Sequence, residues 1–184
     1  MLLNPSRDTV CERKLCFVFM NPEFRYETYI FTTPQLVFEA LTSDEIQARF
    51  MNNTGARSTW QVGDKVLWKS DPNGEYEDLD QEVLEVIPDE KLSYTWHRLQ
   101  DFHRDLFDSE AALKVAQQEQ SRVTWLIEDA SVYHMGTKVT LVHDGFDSAE
   151  SEMLKGVSMG WTMIIAAMKT YLETGTGLRP EPTA

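Results

Sequence analysis

Gly136-Thr137-Lys138-Val139-Thr140-Leu141-Val142-His143-Asp144-Gly145-Phe146 alternates polar and apolar residues and stops at Asp-Gly. A period of two marks a half-buried strand. After a short polar stretch comes Gly160-Trp161-Thr162-Met163-Ile164-Ile165-Ala166-Ala167-Met168-Lys169-Thr170-Tyr171-Leu172-Glu173-Thr174-Gly175. Here Leu154, Val157, Trp161, Ile164, Met168 and Leu172 step by three or four, which gives one apolar helical stripe. Asp147-Ser148-Ala149-Glu150 resembles a capping box, so the helix is expected to start near Ser148 and to end at Gly175, a length of about 40 Å. A strand leading into one long helix at the end of a β-rich chain predicts a sheet wrapped around that helix. Such a wrap can enclose a cavity.

Upstream, residues 24–31 alternate as a strand. Thr33-Pro34 places a cap and a first-turn proline before a helix carrying Val37, Phe38 and Leu41 on one face. A second short helix runs from the cap Ser43 to Phe50. Residues 58–62, 65–70, 76–87, 91–97, 122–128 and 138–143 read as further strands, joined by tight turns such as Asp71-Pro72-Asn73-Gly74. The neighbours are expected to be antiparallel. Residues 99–120 interrupt this rhythm. Ser109 caps a helix through Glu110–Ala116, and the segment, too long for a hairpin loop, is expected to act as a cover or a contact surface.

Seventeen basic against thirty acidic side chains give a net charge of −13, which argues against nucleic acid and against an anionic membrane surface. Nine carboxylates and no base fall between Asp71 and Glu90. They are either a solvated sheet face or a docking face for a basic partner. No apolar run reaches membrane-spanning length. Cys11 and Cys16 form neither a zinc motif nor a disulfide framework, so a cytoplasmic location is expected. Residues 1–20 are read as a leader without chemistry, 21–178 as one domain, and 179–184 as a flexible tail. Asp71-x-Asn73-x-Glu75 echoes a calcium loop, but Tyr76 stands where the loop needs glycine. Gly156-x-x-x-Gly160 weakens a helix, and is read as allowing a close approach to the sheet or room for a ligand. No metal and no cofactor is expected.

Several segments together resemble the SRPBCC (START-like, Bet v 1-like) superfamily, in particular the Activator of Hsp90 ATPase homologue 1-like group. They are Thr33-Pro34-x-x-Val37-Phe38-x-Ala40-Leu41-Thr42, Trp60-x-Val62-Gly63, Glu82-Val83-Leu84-Glu85-Val86-Ile87-Pro88 with Leu92-Ser93-Tyr94-Thr95-Trp96, Arg122-Val123-Thr124-Trp125, and the two carboxy-terminal segments quoted above. The resemblance implies an α+β helix-grip fold: a curved antiparallel β-sheet wrapped around a long C-terminal α-helix, with two short helices after the first strand. It implies no shared catalytic residues, because members include carriers, cyclases and co-chaperone domains.

Strand parity places Leu92, Tyr94 and Trp96 on one face, with Val123, Trp125 and Ile127, and Val139, Leu141 and His143. Trp68, Tyr94, Trp96, Trp125, Leu141, His143, Trp161 and Met168 are therefore the candidate ligand-binding residues. The aromatics fit core filling as well as a pocket wall. His143 is a weak candidate for acid–base chemistry or ligand orientation, against a structural histidine bonded to the backbone. The leading expectation is a binding protein for a small apolar or aromatic molecule in an internal cavity. Two alternatives stand beside it: a co-chaperone-like interaction module, and a cyclase- or hydrolase-type enzyme using His143. A homodimer and a protein partner are left open.

Overall fold

A computed structural model describes residues 22–177 of the chain. The expected leader over 1–20 and the tail over 179–184 lie outside the described residues. The chain runs β1 (Phe24–Ile30), α1 (Pro34–Thr42), α2 (Asp44–Phe50), β2 (Gly55–Arg57), β3 (Lys65–Lys69), β4 (Glu77–Ile87) and β5 (Lys91–Thr95). After a 3-10 turn (Asp101–Leu106) come α3 (Glu110–Ala116), β6 (Arg122–Asp129), β7 (Thr137–Asp144) and α4 (Glu152–Thr174). The seven strands form one sheet in the order β1-β7-β6-β5-β4-β3-β2, and every pairing is antiparallel. The sheet wraps α4, with α1 and α2 between β1 and β2: the expected α+β helix-grip.

The capping chemistry reads directly from sequence. The Thr33 hydroxyl accepts from the Leu36 N–H, with Pro34 at the first helical position, and the Ser43 hydroxyl accepts from the Ile46 N–H. Pro34 loses nothing there, since a first-turn N–H has no intrahelical partner. Gly175, at φ 76°, closes α4 in a left-handed conformation that costs glycine little. Strand parity also holds. Leu92, Tyr94, Trp96, Val123, Trp125, Ile127, Val139, Leu141 and His143 are all buried.

Three expectations are corrected. Residues 58–62 form no strand. Trp60 sits at φ 55°; its indole N–H donates to the Thr42 carbonyl (2.7 Å), and its ring meets Tyr94 edge-on at 6.0 Å. That tertiary anchor kinks the chain, and the edge strand forms earlier, at Gly55–Arg57. Buried Gln47 holds it there, accepting from the Ala56 N–H (2.7 Å) and donating to the Leu41 carbonyl (2.9 Å). Second, α4 begins at Glu152 rather than near Ser148. Ser148 spends its hydroxyl on the Glu150 N–H, and Ser151 is the cap, accepting from Leu154 N–H. The Glu119 carboxylate takes both the Asp147 N–H and the Ser151 hydroxyl, fixing this entry. The helix is thus about 35 Å long rather than about 40 Å. Third, its buried stripe is Met153, Val157, Trp161, Ile165 and Met168; Leu154, Ile164 and Leu172 flank it, half-buried.

Candidate functional site

The interface between the sheet and α4 is closed by aromatic packing. Trp125 meets Trp161 edge-on at 5.6 Å, and Trp161 meets Trp96 at 4.9 Å. Trp96 meets Trp68 at 5.1 Å. Edge-on contacts of this kind suit the ring quadrupoles and add to the area they bury. Only a void of about 20 Å³ remains where Tyr94, Trp125 and Met168 face α1 and α2. Leu141 and His143 are fully buried and line neither this void nor the cavity described next.

The cavity lies at the end of the sheet where β5 runs out, and has a volume of about 230 Å³. Trp68, Trp96 and Trp161 form its aromatic wall. On α4, Gly156 and Gly160 face it, and a Cβ added at either meets nothing within 4 Å. The glycines therefore leave room rather than permit a close backbone approach. Leu99, His103 and Leu106, from the segment over 99–120, cover the other side. Leu106 is 56% exposed at the rim, Phe102 faces solvent, and Phe107 packs on the core. Of the candidate residues, Trp68, Trp96 and Trp161 thus meet at one cavity, whereas Tyr94, Trp125, Leu141, His143 and Met168 stand behind it. A larger groove of about 940 Å³ runs along the outer side of α4 against Met51–Thr54, sharing Gly160 and Ile164 with the cavity.

His143 holds the wall in place. The Trp161 indole N–H donates to its Nδ1 (2.9 Å), and its Nε2 lies 2.9 Å from the Ser121 hydroxyl. An indole nitrogen can only donate, so Nδ1 is the acceptor and Nε2 carries the proton. Its partners are side chains, not the backbone expected for a structural histidine at a strand end. With its lone pair taken by Trp161, the imidazole donates to Ser121 and is no base toward it. Burial, reinforced by nearby His97, pulls its pKa down to about 3. The Trp96 indole N–H and the Gln81 Oε1 are buried and lack partners among the described residues. Each such atom costs about 1–3 kcal/mol.

The residues that parity did not reveal are His97, His103, Leu99 and Leu106. They follow the end of β5, where alternation stops carrying information. The glycine pair and the long interruption of the strand rhythm were the available signals. Among the described residues no group of three or more His, Cys, Asp or Glu is placed to hold a metal, and no helix is long and apolar enough to cross a membrane. The carboxylates Asp71, Glu75, Glu77, Asp78, Asp80, Glu82 and Glu90 are exposed; Asp78 pairs with Lys65 and Asp80 with Arg98.

The fold recurs among solved structures. Protein MLL2253 from Mesorhizobium loti matches with a TM-score of 0.61 at 23% identity, over 82% of this chain and 96% of that one. SSP2350 from Staphylococcus saprophyticus matches at 0.60 and 19%, over 87% and 98%. The Aha1 dimer of Colwellia psychrerythraea, solved in solution, matches at 0.60 and 17%, over 85% and 99%. No curated protein matches the sequence significantly. The family model described as Activator of Hsp90 ATPase homolog 1-like protein matches residues 32–173. On that match, which spans most of the sequence, the chain belongs to the Activator of Hsp90 ATPase homolog 1-like family within the SRPBCC superfamily.

Proposed function

We propose that the protein binds a small apolar or aromatic molecule in the cavity between Trp68, Trp96 and Trp161, the glycine face of α4 and the 3-10 turn. The observation that carries this reading is a half-open pocket of about 230 Å³ walled by Trp68, Trp96 and Trp161, onto which Gly160 and the solvent-exposed Gly156 place no side chain. Glycine in a helix interior costs about 1 kcal/mol against alanine. Two of them facing one aromatic-walled space are accounted for by an occupant. The volume bounds its size: an apolar cavity of about 150 Å³ takes benzene, and drug-sized ligands fill at least about 300 Å³. A molecule of one or two rings, or a short acyl chain, fits between those limits.

The engaged state of His143 favours binding over catalysis, since it leaves that imidazole no free lone pair. The reading places the protein in the cytoplasm, in line with two cysteines and no disulfide framework. A homodimer, the state named for the Colwellia relative, is a further expectation. Native mass spectrometry of freshly purified protein tests the reading. The expected result is an adduct of low mass, displaced by excess indene and absent from a Gly156→Leu, Gly160→Leu double variant. An adduct that persists in the filled variant would place the ligand elsewhere.

A further inference from the structure

Two histidines meet at the cavity rim, and their proton positions are fixed by their neighbours. His97 Nδ1 lies 3.0 Å from the Arg98 carbonyl oxygen, which can only accept. Nδ1 therefore carries the proton in the neutral ring, and Nε2 the lone pair. In His103 the order is reversed. The Gln100 N–H donates to His103 Nδ1 (2.9 Å), so Nδ1 holds the lone pair and Nε2 the proton. The Gln100 carbonyl, 3.2 Å from the same nitrogen, is then a contact and not an acceptor. The two rings are nearly parallel, at 19°, with centroids 6.4 Å apart, and both line the cavity. Neither Nε2 has a hydrogen-bond partner among the described residues. The two rings lining the cavity thus carry one unpartnered acceptor, His97 Nε2, and one unpartnered donor, His103 Nε2–H.

The surroundings favour the neutral form of His97 and place no basic side chain on the lining. Burial pulls the His97 pKa down, and proximity to His103 adds to the effect. No arginine or lysine lines the cavity; Arg98 and Arg104 donate to the Gln118 and Phe107 carbonyls instead. The one carboxylate on the lining, Glu152, is paired with Lys155 at 2.7 Å. A fully ionised head group would find no fixed countercharge, whereas a head group with a donor beside an acceptor satisfies both histidines.

Building on the binding reading above, we propose that the cavity selects small apolar molecules bearing a planar donor–acceptor head group: a primary carboxamide, or a carboxylic acid in its protonated form. The apolar body occupies the tryptophan-walled space. The head group's N–H or O–H donates to His97 Nε2, and its carbonyl accepts from His103 Nε2–H.

Three probes of one shape separate this inference from the reading beneath it. Benzamide carries donor and acceptor, acetophenone the acceptor alone, and α-methylstyrene neither. Their affinities are measured by titration against the full chain at neutral pH, with the histidine ring nitrogens followed by NMR. Benzamide is expected to bind about tenfold tighter than α-methylstyrene, the worth of about two net hydrogen bonds, with acetophenone, which keeps one of them, in between. It is also expected to shift the Nε2 resonances of His97 and His103. Each of His97→Phe and His103→Phe should shrink the ratio of benzamide to α-methylstyrene affinity, and the double substitution should bring it to about one. Equal binding of all three probes overturns the inference and leaves the binding reading standing. So does a benzamide preference that survives both substitutions. Binding by none of the three overturns both. If a phenylalanine variant fails to fold, the nitrogen shifts in the unmodified protein decide: unmoved Nε2 resonances at benzamide saturation overturn the inference.

Discussion

Between the Trp161 indole and the Ser121 hydroxyl, both nitrogens of His143 are occupied, and the side chain is fully buried. Ionising it would place a charge where the Trp161 N–H already points at Nδ1, so the folded protein resists protonation down to about pH 3. The unfolded chain takes up that proton near the ordinary value of about 6.5. With the folded pKa depressed, the unfolded state binds more protons inside this window, and stability falls as the pH falls. The contribution is complete above about pH 6.5 and declines by about 1.4 kcal/mol per pH unit below it. His97, also depressed by burial, acts in the same direction. The carboxylates held down by ion pairs, Glu27, Glu110 and Glu173 among them, add to the loss as the pH falls toward their ordinary value of about 4.5. Urea midpoints at about pH 7 and pH 5 should differ in favour of the higher pH, and His143→Asn should flatten the difference. Equal midpoints in the unmodified protein would show that His143 is not held neutral.

At the scale of the element, α4 carries opposing demands. Its Met153, Val157, Trp161, Ile165 and Met168 stripe buries against the sheet, while Gly156 and Gly160 leave the cavity open. Replacing either glycine by alanine introduces a methyl with nothing within 4 Å to clash. Gly156→Ala and Gly160→Ala should each stabilise the protein by about 0.5–1 kcal/mol, seen as a raised melting temperature. Each should also weaken binding of any cavity ligand, because the methyl takes part of the space. A loss of stability on either substitution would mean that the helix packs more tightly there than the cavity account requires. The start of α4 shows where sequence reading reached its limit. Both Ser148 and Ser151 suit a cap, and the choice falls to Ser151 because Glu119, from distant sequence, binds its hydroxyl. A local pattern cannot register that contact. Trp60 is the same lesson at a strand: residues 58–62 look extended until the indole reaches Thr42 and Tyr94.

Across the whole molecule, the helix-grip was legible because the periodicities of β7 and α4, the Thr33-Pro34 and Ser43 caps, and the inward parity of β5, β6 and β7 all follow from local chemistry. The candidate site was legible only in part. Parity identified Trp96 and helix phase identified Trp161, but neither could say that Trp125, with Met168 behind it, fills the interior and moves the open space to the end of β5. That outcome depends on the volumes of side chains meeting from four elements. His97 and His103 lie past the strand, where no period applies. Folding the sheet around α4 and covering one end with residues from the 99–120 segment therefore yields a small, end-placed cavity instead of a central one. The most direct test is a tryptophan-fluorescence titration with indene, comparing the unmodified protein with Gly160→Leu. The account predicts a saturable change in emission for the first, since Trp68, Trp96 and Trp161 wall the space, and none for the second, whose leucine fills it. An identical response in both proteins, or no saturable response in the unmodified one, would contradict it.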